Sequence, residues 1–200
     1  MIVDFIFDVA SPNTYLAHKI IPSIEERTGA KFNYIPCLLG GIHKLSNNQP
    51  PFIAYADCKN KSDYQIIEID RFVKQHNLTN YMFNSHFPPS TIQVQRGAIA
   101  AKEMNIFEEY FDCVIKAMWE NDKNISDIEV LKQVLNESNL DVKSIMEIIN
   151  SQECKDKLIK NTDDAVNSGC FGVPTFLYDN QIFFGKDHLH QLEQYINSIK

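Results

Sequence analysis

"DFIFDVASPNTYLA", residues 4–17, is the stretch on which the reading of this chain turns. Residues 2–7, "IVDFIF", are rich in Ile, Val and Phe, as a buried strand would be. Asp4 and Asp8 break the apolar run and no basic segment precedes it, so the N-terminus reads as a strand rather than a secretion signal. Ser11 then offers an N-cap hydroxyl, and Pro12 suits the first helical position. The pattern predicts a helix to about Thr28, stopped where Gly29 permits positive φ. A second strand, "KFNYIP", is expected at 31–36. Strand, helix and strand in close succession make a βαβ unit with a right-handed crossover.

Working outward, the character of the chain changes twice. From Leu38 to Lys61 it reads as loop, broken by Gly40-Gly41, Asn47-Asn48 and Pro50-Pro51. A 3.6-residue period then dominates segments near 62–76, 89–104, 107–120, 126–138 and 141–167. Ser126 with Glu129 reads as a capping box opening the fourth of these. Strand character returns in "PTFLYDNQIFF", 174–184, where Asp179-Asn180 marks a tight hairpin. A last helix at 187–199 is expected to bury Leu189, Leu192, Ile196 and Ile199. The economical architecture is α/β: βαβ plus ββα in one mixed sheet, a thioredoxin fold interrupted by an inserted all-helical domain. The corresponding division is 1–45 with 168–200 for the discontinuous thioredoxin-like part and 46–167 for the insertion.

Composition excludes some partners. Lys+Arg 19 against Asp+Glu 26 gives a formal net charge of −7, which argues against a nucleic-acid groove or an anionic membrane surface. No apolar run approaches the ~20 residues that span a bilayer. Cys37, Cys58, Cys113, Cys154 and Cys170 are scattered and form neither CxxC nor a zinc-type cluster, the pattern of reduced thiols in a cytoplasmic protein. His188 and His190 diverge on a helix and read as a solvated face, not a metal site. His86 reads as a loop residue, Met118 and Trp119 as core, and Cys170 as structural.

Two points remain that architecture does not use up. Val173-Pro174 stands directly before a strand, and Ser11 stands at the first strand-to-helix turn. In a thioredoxin fold these points lie side by side, and a cis X-Pro bond there presents the preceding residue's backbone outward to pair with an extended thiol peptide. From local pattern alone Ser11 is a helix cap. Its position before a helix N-terminus, which carries free N–H groups and partial positive charge, also suits a bound anion.

At these residues the sequence resembles a known family. "FDVASPNTYLA", "LLGGIHKLSNNQPP", "NSHFPPSTIQVQR", "AMWENDKNISDIEVL" and "GCFGVPTFLYDNQIFFGKDHL" occur in the order found in 2-hydroxychromene-2-carboxylate isomerases and kappa-class glutathione transferases, within the DsbA-like branch of the thioredoxin superfamily. The resemblance covers essentially the whole chain. It implies glutathione as cosubstrate, with the Ser11 hydroxyl donating to its sulfur and holding it ionised. Val173 would pair with the cysteinyl backbone and Pro174 would fix that geometry. Asn48 would touch the tripeptide, and Lys186 and Asp187 would meet its γ-glutamyl end, with Lys61 and Glu68 as further charges. The implied reaction adds the thiolate to an alkene conjugated to an α-keto acid, allows the resulting single bond to rotate, and expels the thiolate. Asn13, His43 and Lys44 would line the side of this aromatic or conjugated electrophile. Relatives often carry an aromatic residue where this chain has Asn13, which would reshape that side. The resemblance also implies a homodimer. A transferase or peroxidase of kappa type, a DsbA-like oxidoreductase without its CxxC, and a non-catalytic binding protein are the alternatives. Serine cannot form a mixed disulfide, which argues against the thiol–disulfide version.

Overall fold

The computed structural model describes residues 1–199; Lys200, the end of the expected C-terminal part, lies outside them. Ile2–Phe7 forms β1, Pro12–Thr28 α1 and Lys31–Pro36 β2. Gly29 stops α1 at φ 65°, its N–H donating to Glu25 O at 2.7 Å. β1 and β2 pair in parallel, from Ile2 beside Lys31 to Phe7 beside Pro36. Thr175–Tyr178 (β3) and Gln181–Phe184 (β4) form the expected hairpin, with Asp179 and Asn180 both at positive φ. β3 lies antiparallel against β1, giving a four-stranded sheet of order β2-β1-β3-β4. Between β2 and β3 run eight helices: α2 Leu39–Leu45, α3 Pro51–Ala54, α4 Lys59–Gln75, α5 Ile92–Glu103, α6 Phe107–Trp119, α7 Ile128–Glu137, α8 Val142–Asn150 and α9 Gln152–Asn167. A 3-10 turn, Lys186–His188, then leads into α10, Leu189–Ser198. This is a thioredoxin fold with an inserted helical block.

The main core runs without a break from the sheet into that block. Phe5, Phe7 and Phe176 of the sheet pack with Leu16 and Ile24 of α1, Phe111 and Trp119 of α6, and Leu131 of α7. Phe5 stacks on Phe176 with centroids 5.0 Å apart, and Phe7 meets Phe111 edge-on at 4.9 Å. Met118 and Trp119 are fully buried and Cys170 is buried, as their patterns indicate. α5 approaches α6 closely because Gly97 has no Cβ; one there would collide with the Tyr110 hydroxyl.

Several sequence expectations are corrected. The stretch 38–61 is not all loop, since α2 and α3 form within it and α4 begins at Lys59. Gly40-Gly41 is accommodated inside the first turn of α2, Asn47-Asn48 falls between the two helices, and Pro51 takes the first helical position of α3. The helix expected from 89 begins at Ile92. Ser126 caps nothing: its Oγ accepts from Ser90 N–H at 2.8 Å, and Asp127 is the N-cap of α7, accepting from Glu129 N–H. The segment 141–167 is two helices, because Ser151 takes an extended conformation and caps α9 through Cys154 N–H. Ile199 falls after α10 and is 47% exposed, while Leu189, Leu192 and Ile196 are buried.

Candidate active site

The site is built where β1 ends. Three buried groups fix that end. Gln95 of α5 donates through Nε2 to Phe7 O and Cys37 O, both at 2.9 Å, and Trp119 Nε1 donates to Val9 O at 2.9 Å. Gln95 Oε1 also accepts from Val9 N–H at 3.4 Å. The chain then turns: Ser11 N–H donates to Asp8 O at 3.1 Å and Thr14 N–H to Ser11 O at 3.0 Å, opening α1.

Ser11 is the N-cap residue of α1, yet its hydroxyl does not cap the helix. Instead Oγ donates to Val173 O at 3.2 Å, a contact across 162 residues of chain. The Val173–Pro174 bond is cis, and Ser11, Val173 and Pro174 are all buried. The first strand-to-helix turn and the proline turn are thus brought together as the fold type demands. Gly185 N–H donates to Pro174 O at 2.8 Å, so the start of the 3-10 turn lies against the same proline.

That contact carries the charged group. Lys186 is buried, with Nζ bound to Glu68 Oε1 of α4 and to Asp187 Oδ2 at 2.7 Å, and it lies 5.1 Å from the centre of the Phe72 ring. Lys186, Asp187 and Glu68 are therefore brought together, but the lysine is spent between two carboxylates rather than offered to solvent. Burial pushes the Glu68 carboxyl up, and the hydrogen bond its protonated form donates to the Asp187 carboxylate adds to this. The Asp187 carboxyl is held below its ordinary value although burial, its largest influence, opposes this; hydrogen bonds with Glu68 and Lys186 outweigh it. Two acids against one base leave the cluster with an excess negative charge.

The remaining expected residues are more dispersed. Asn48 is exposed and donates through Nδ2 to Phe171 O at 2.8 Å, two residues before Val173. Asn13 stands in the first turn of α1, with Oδ1 buried and unpaired; Thr14 Oγ1 beside it is likewise unpaired. His43 is buried on α2, and that burial lowers its pKa, favouring the neutral ring. Lys44 is exposed on the same helix. Lys61 is exposed in the first turn of α4 with its ammonium 3.6 Å from the centre of the Tyr55 ring, and no contact joins it to the Glu68 cluster.

Sequence reading passed over Asp8 and Gln95. Both are buried at the base of the Ser11 turn, and Asp8 was read only as a break in an apolar run. A polar residue beside a buried strand end is the available signal, because the sheet's terminal backbone groups need partners.

With this geometry in hand, comparison is informative. Residues 2–197 match the family model of the DSBA-like thioredoxin domain. The chain belongs to that family. Among DSBA-like proteins it is similar to the 2-hydroxychromene-2-carboxylate isomerase of Sphingobium xenophagum, 25% identical over 97% of both chains. It is similar to glutathione S-transferase kappa 1 of Rattus norvegicus, 24% identical over 96% of this chain and 88% of that protein. A solved 2-hydroxychromene-2-carboxylate isomerase superposes with a TM-score of 0.85 at 22% identity, covering 100% of this chain and 96% of that one. Pseudomonas aeruginosa DsbA follows the same fold less closely, at TM-score 0.61 and 16% identity over 98% and 82% of the two chains. No described helix is long and apolar enough to cross a membrane.

Proposed function

We propose that this DSBA-like protein is a glutathione-dependent enzyme of the 2-hydroxychromene-2-carboxylate isomerase type, acting on a conjugated α-keto acid alkene. The observation that carries the reading is the Ser11 hydroxyl at 3.2 Å from Val173 O, at the N-terminal end of α1 and beside a cis proline. Full-length similarity to isomerases and kappa transferases supports it.

The donor set suits glutathione. Glutathione supplies the nucleophilic sulfur, and the chain supplies its surroundings. The Ser11 hydroxyl can rotate from Val173 O to donate to a sulfur, and the α1 N-terminus favours that sulfur's anionic form. Val173 offers backbone groups for an added extended peptide, with Pro174 fixing their direction. The excess charge of Glu68, Lys186 and Asp187 suits the α-ammonium of a γ-glutamyl group, while Lys186 keeps the two acids together. Asn48 holds the 171–173 segment in place rather than being free for the tripeptide. On the electrophile side, the unpaired Asn13 Oδ1 accepts a hydrogen bond from a substrate hydroxyl, and neutral His43 and Lys44 lie on the neighbouring α2.

We place the enzyme in the cytoplasm as a homodimer. The absence of any disulfide among five free cysteines supports the first, and exposed Tyr64, Ile66 and Ile67 on α4 support the second. The second reading, a kappa-type transferase, has comparable similarity behind it. Incubation with glutathione and a conjugated α-keto acid alkene separates them. An isomerase returns all the glutathione, whereas a transferase consumes it into a conjugate. Failure of glutathione to bind at all, by calorimetry, would remove both.

A further inference from the structure

Asp8 carries a carboxylate buried among neutral partners, an arrangement a fold keeps only when those partners are well placed. Oδ1 accepts from Ala10 N–H at 2.9 Å and Oδ2 from Leu39 N–H at 2.8 Å, with the Thr91 hydroxyl as a third partner. Its backbone carbonyl meanwhile accepts from Ser11 N–H. Asp8 therefore grips the Ser11 turn through main chain and side chain together, and through Leu39 it holds the first residue of α2. α2 leads to Asn48, whose amide donates to Phe171 O. Two residues later Val173 O accepts from Ser11 Oγ, and the circuit closes.

We infer that Asp8 is a positioning residue for the sulfur site: its carboxylate ties the Ser11 turn to the head of α2, closing a ring through Asn48, Phe171 and Val173 that fixes where the Ser11 hydroxyl stands. The inference rests on the glutathione reading for its chemistry but not for its geometry. Burial raises the Asp8 carboxyl while its three hydrogen bonds act the other way. The titratable neighbour at the end of β2 is Cys37, whose thiol is pushed up chiefly by burial, then by Cys170, Asp8 and Asp164.

Asp8→Asn keeps the size of the side chain but replaces one acceptor oxygen with a donor. It must face an N–H of Ala10 or Leu39, and one tie is lost. The first test needs no glutathione. Ser11→Cys places a sulfur on the turn, and iodoacetamide labelling of the peptide containing residue 11, followed by mass spectrometry across pH, gives that thiol's midpoint. Adding Asp8→Asn is expected to raise the midpoint by about one pH unit, because the loosened turn supports the anion less well. A lowered midpoint would mean that the carboxylate acts only as an opposing charge, and an unchanged one that the turn does not depend on it; either overturns the inference. If Asp8→Asn does not fold, Thr91→Val removes only the third partner and should shift the midpoint in the same direction by a few tenths, no shift being fatal. In the native site, Asp8→Asn should lower kcat about tenfold with glutathione affinity held within about threefold, and cost at most about twofold in a Ser11→Ala background. Equal losses in both backgrounds would overturn positioning of Ser11. If the wild-type chain binds no glutathione, the proposed function falls while the labelling experiment still decides the role of Asp8.

Discussion

The corner where β1 meets α1 and the arm made by α3 and α4 both carry residues of the candidate site, yet they are held in unlike ways. At the corner Ser11, Val173, Pro174, Asp8 and Gln95 are all buried, and each polar group named there has a partner from a distant part of the chain. The arm is attached at few points. α3 buries no residue, and the 17 residues of α4 bury only Phe72. Beyond that ring, half-buried Ile69 and Val73 pack against the main core and the Glu68–Lys186 pair ties α4 to the sheet side. Local stability follows buried contacts, so the arm opens more readily than the corner. The Ser11–Val173 contact is therefore part of the frame, whereas the Glu68–Lys186 contact lies on the less firmly held arm.

The largest effect expected is at the corner. Ser11→Ala should lower turnover about a hundredfold while glutathione affinity stays within about threefold, measured by steady-state kinetics and calorimetry. An unaltered rate removes the hydroxyl from the chemistry and makes the corner a scaffold only.

The frame should also show a pH dependence. His18 of α1 is kept neutral by burial, which lowers its pKa to about 4, and its Nδ1 lies 2.7 Å from the Tyr34 hydroxyl. Lys19 adds to the lowering; Asp112 and Glu120 oppose it. The folded pKa lies below the unfolded value, so the unfolded chain binds the proton first. Stability is fully present above pH 6.5, falls as pH drops, and is lost to the extent of about 3 kcal/mol once pH 4 is passed. Denaturant midpoints between pH 7 and pH 4 should drop in the wild type and drop less in His18→Gln. Equal slopes would clear His18 of the effect.

Lys186→Met tests the arm's attachment. Leaving Glu68 and Asp187 facing each other, both partly solvated, should cost about 2 kcal/mol and lower Tm by about 4–8 °C. Faster hydrogen exchange should be confined to the arm, residues 51–75. Uniform acceleration would mean that the arm and corner open as one unit. The smallest stability change belongs to Ile66→Lys with Ile67→Lys, within about 0.5 kcal/mol since both are exposed. Sedimentation should nevertheless show monomers if this face joins two copies, and an undisturbed assembly places the seam elsewhere.

The same contrast explains what could be read in advance. β1, α1, β2 and the Asp179-Asn180 hairpin follow local rules: apolar runs, a stop glycine, and residues tolerant of positive φ. The Ser11–Val173 meeting was legible because the fold type fixes it. Lys186 was legible as a candidate site residue, but its burial was not, because that depends on Glu68, 118 residues away. At Asp8 the sequence signals a buried polar residue at a strand end but not its partners, since its ties run to Leu39 and Thr91. Ser126 and Asp127 are both able caps; packing against Ser90 N–H chose between them. Short helices such as α2 leave too few turns for a period to show.

The chain's own sulfurs gain a meaning from where they sit. Burial pushes up the thiols of Cys37, Cys113, Cys154 and Cys170, the last two to about 11, so at neutral pH they stay protonated and poorly nucleophilic. On the proposed function, the electrophilic substrate would otherwise alkylate them. Cys58, alone among the cysteines in being exposed, stands at the head of α4, so on that reading adducts would collect on the arm and spare the corner.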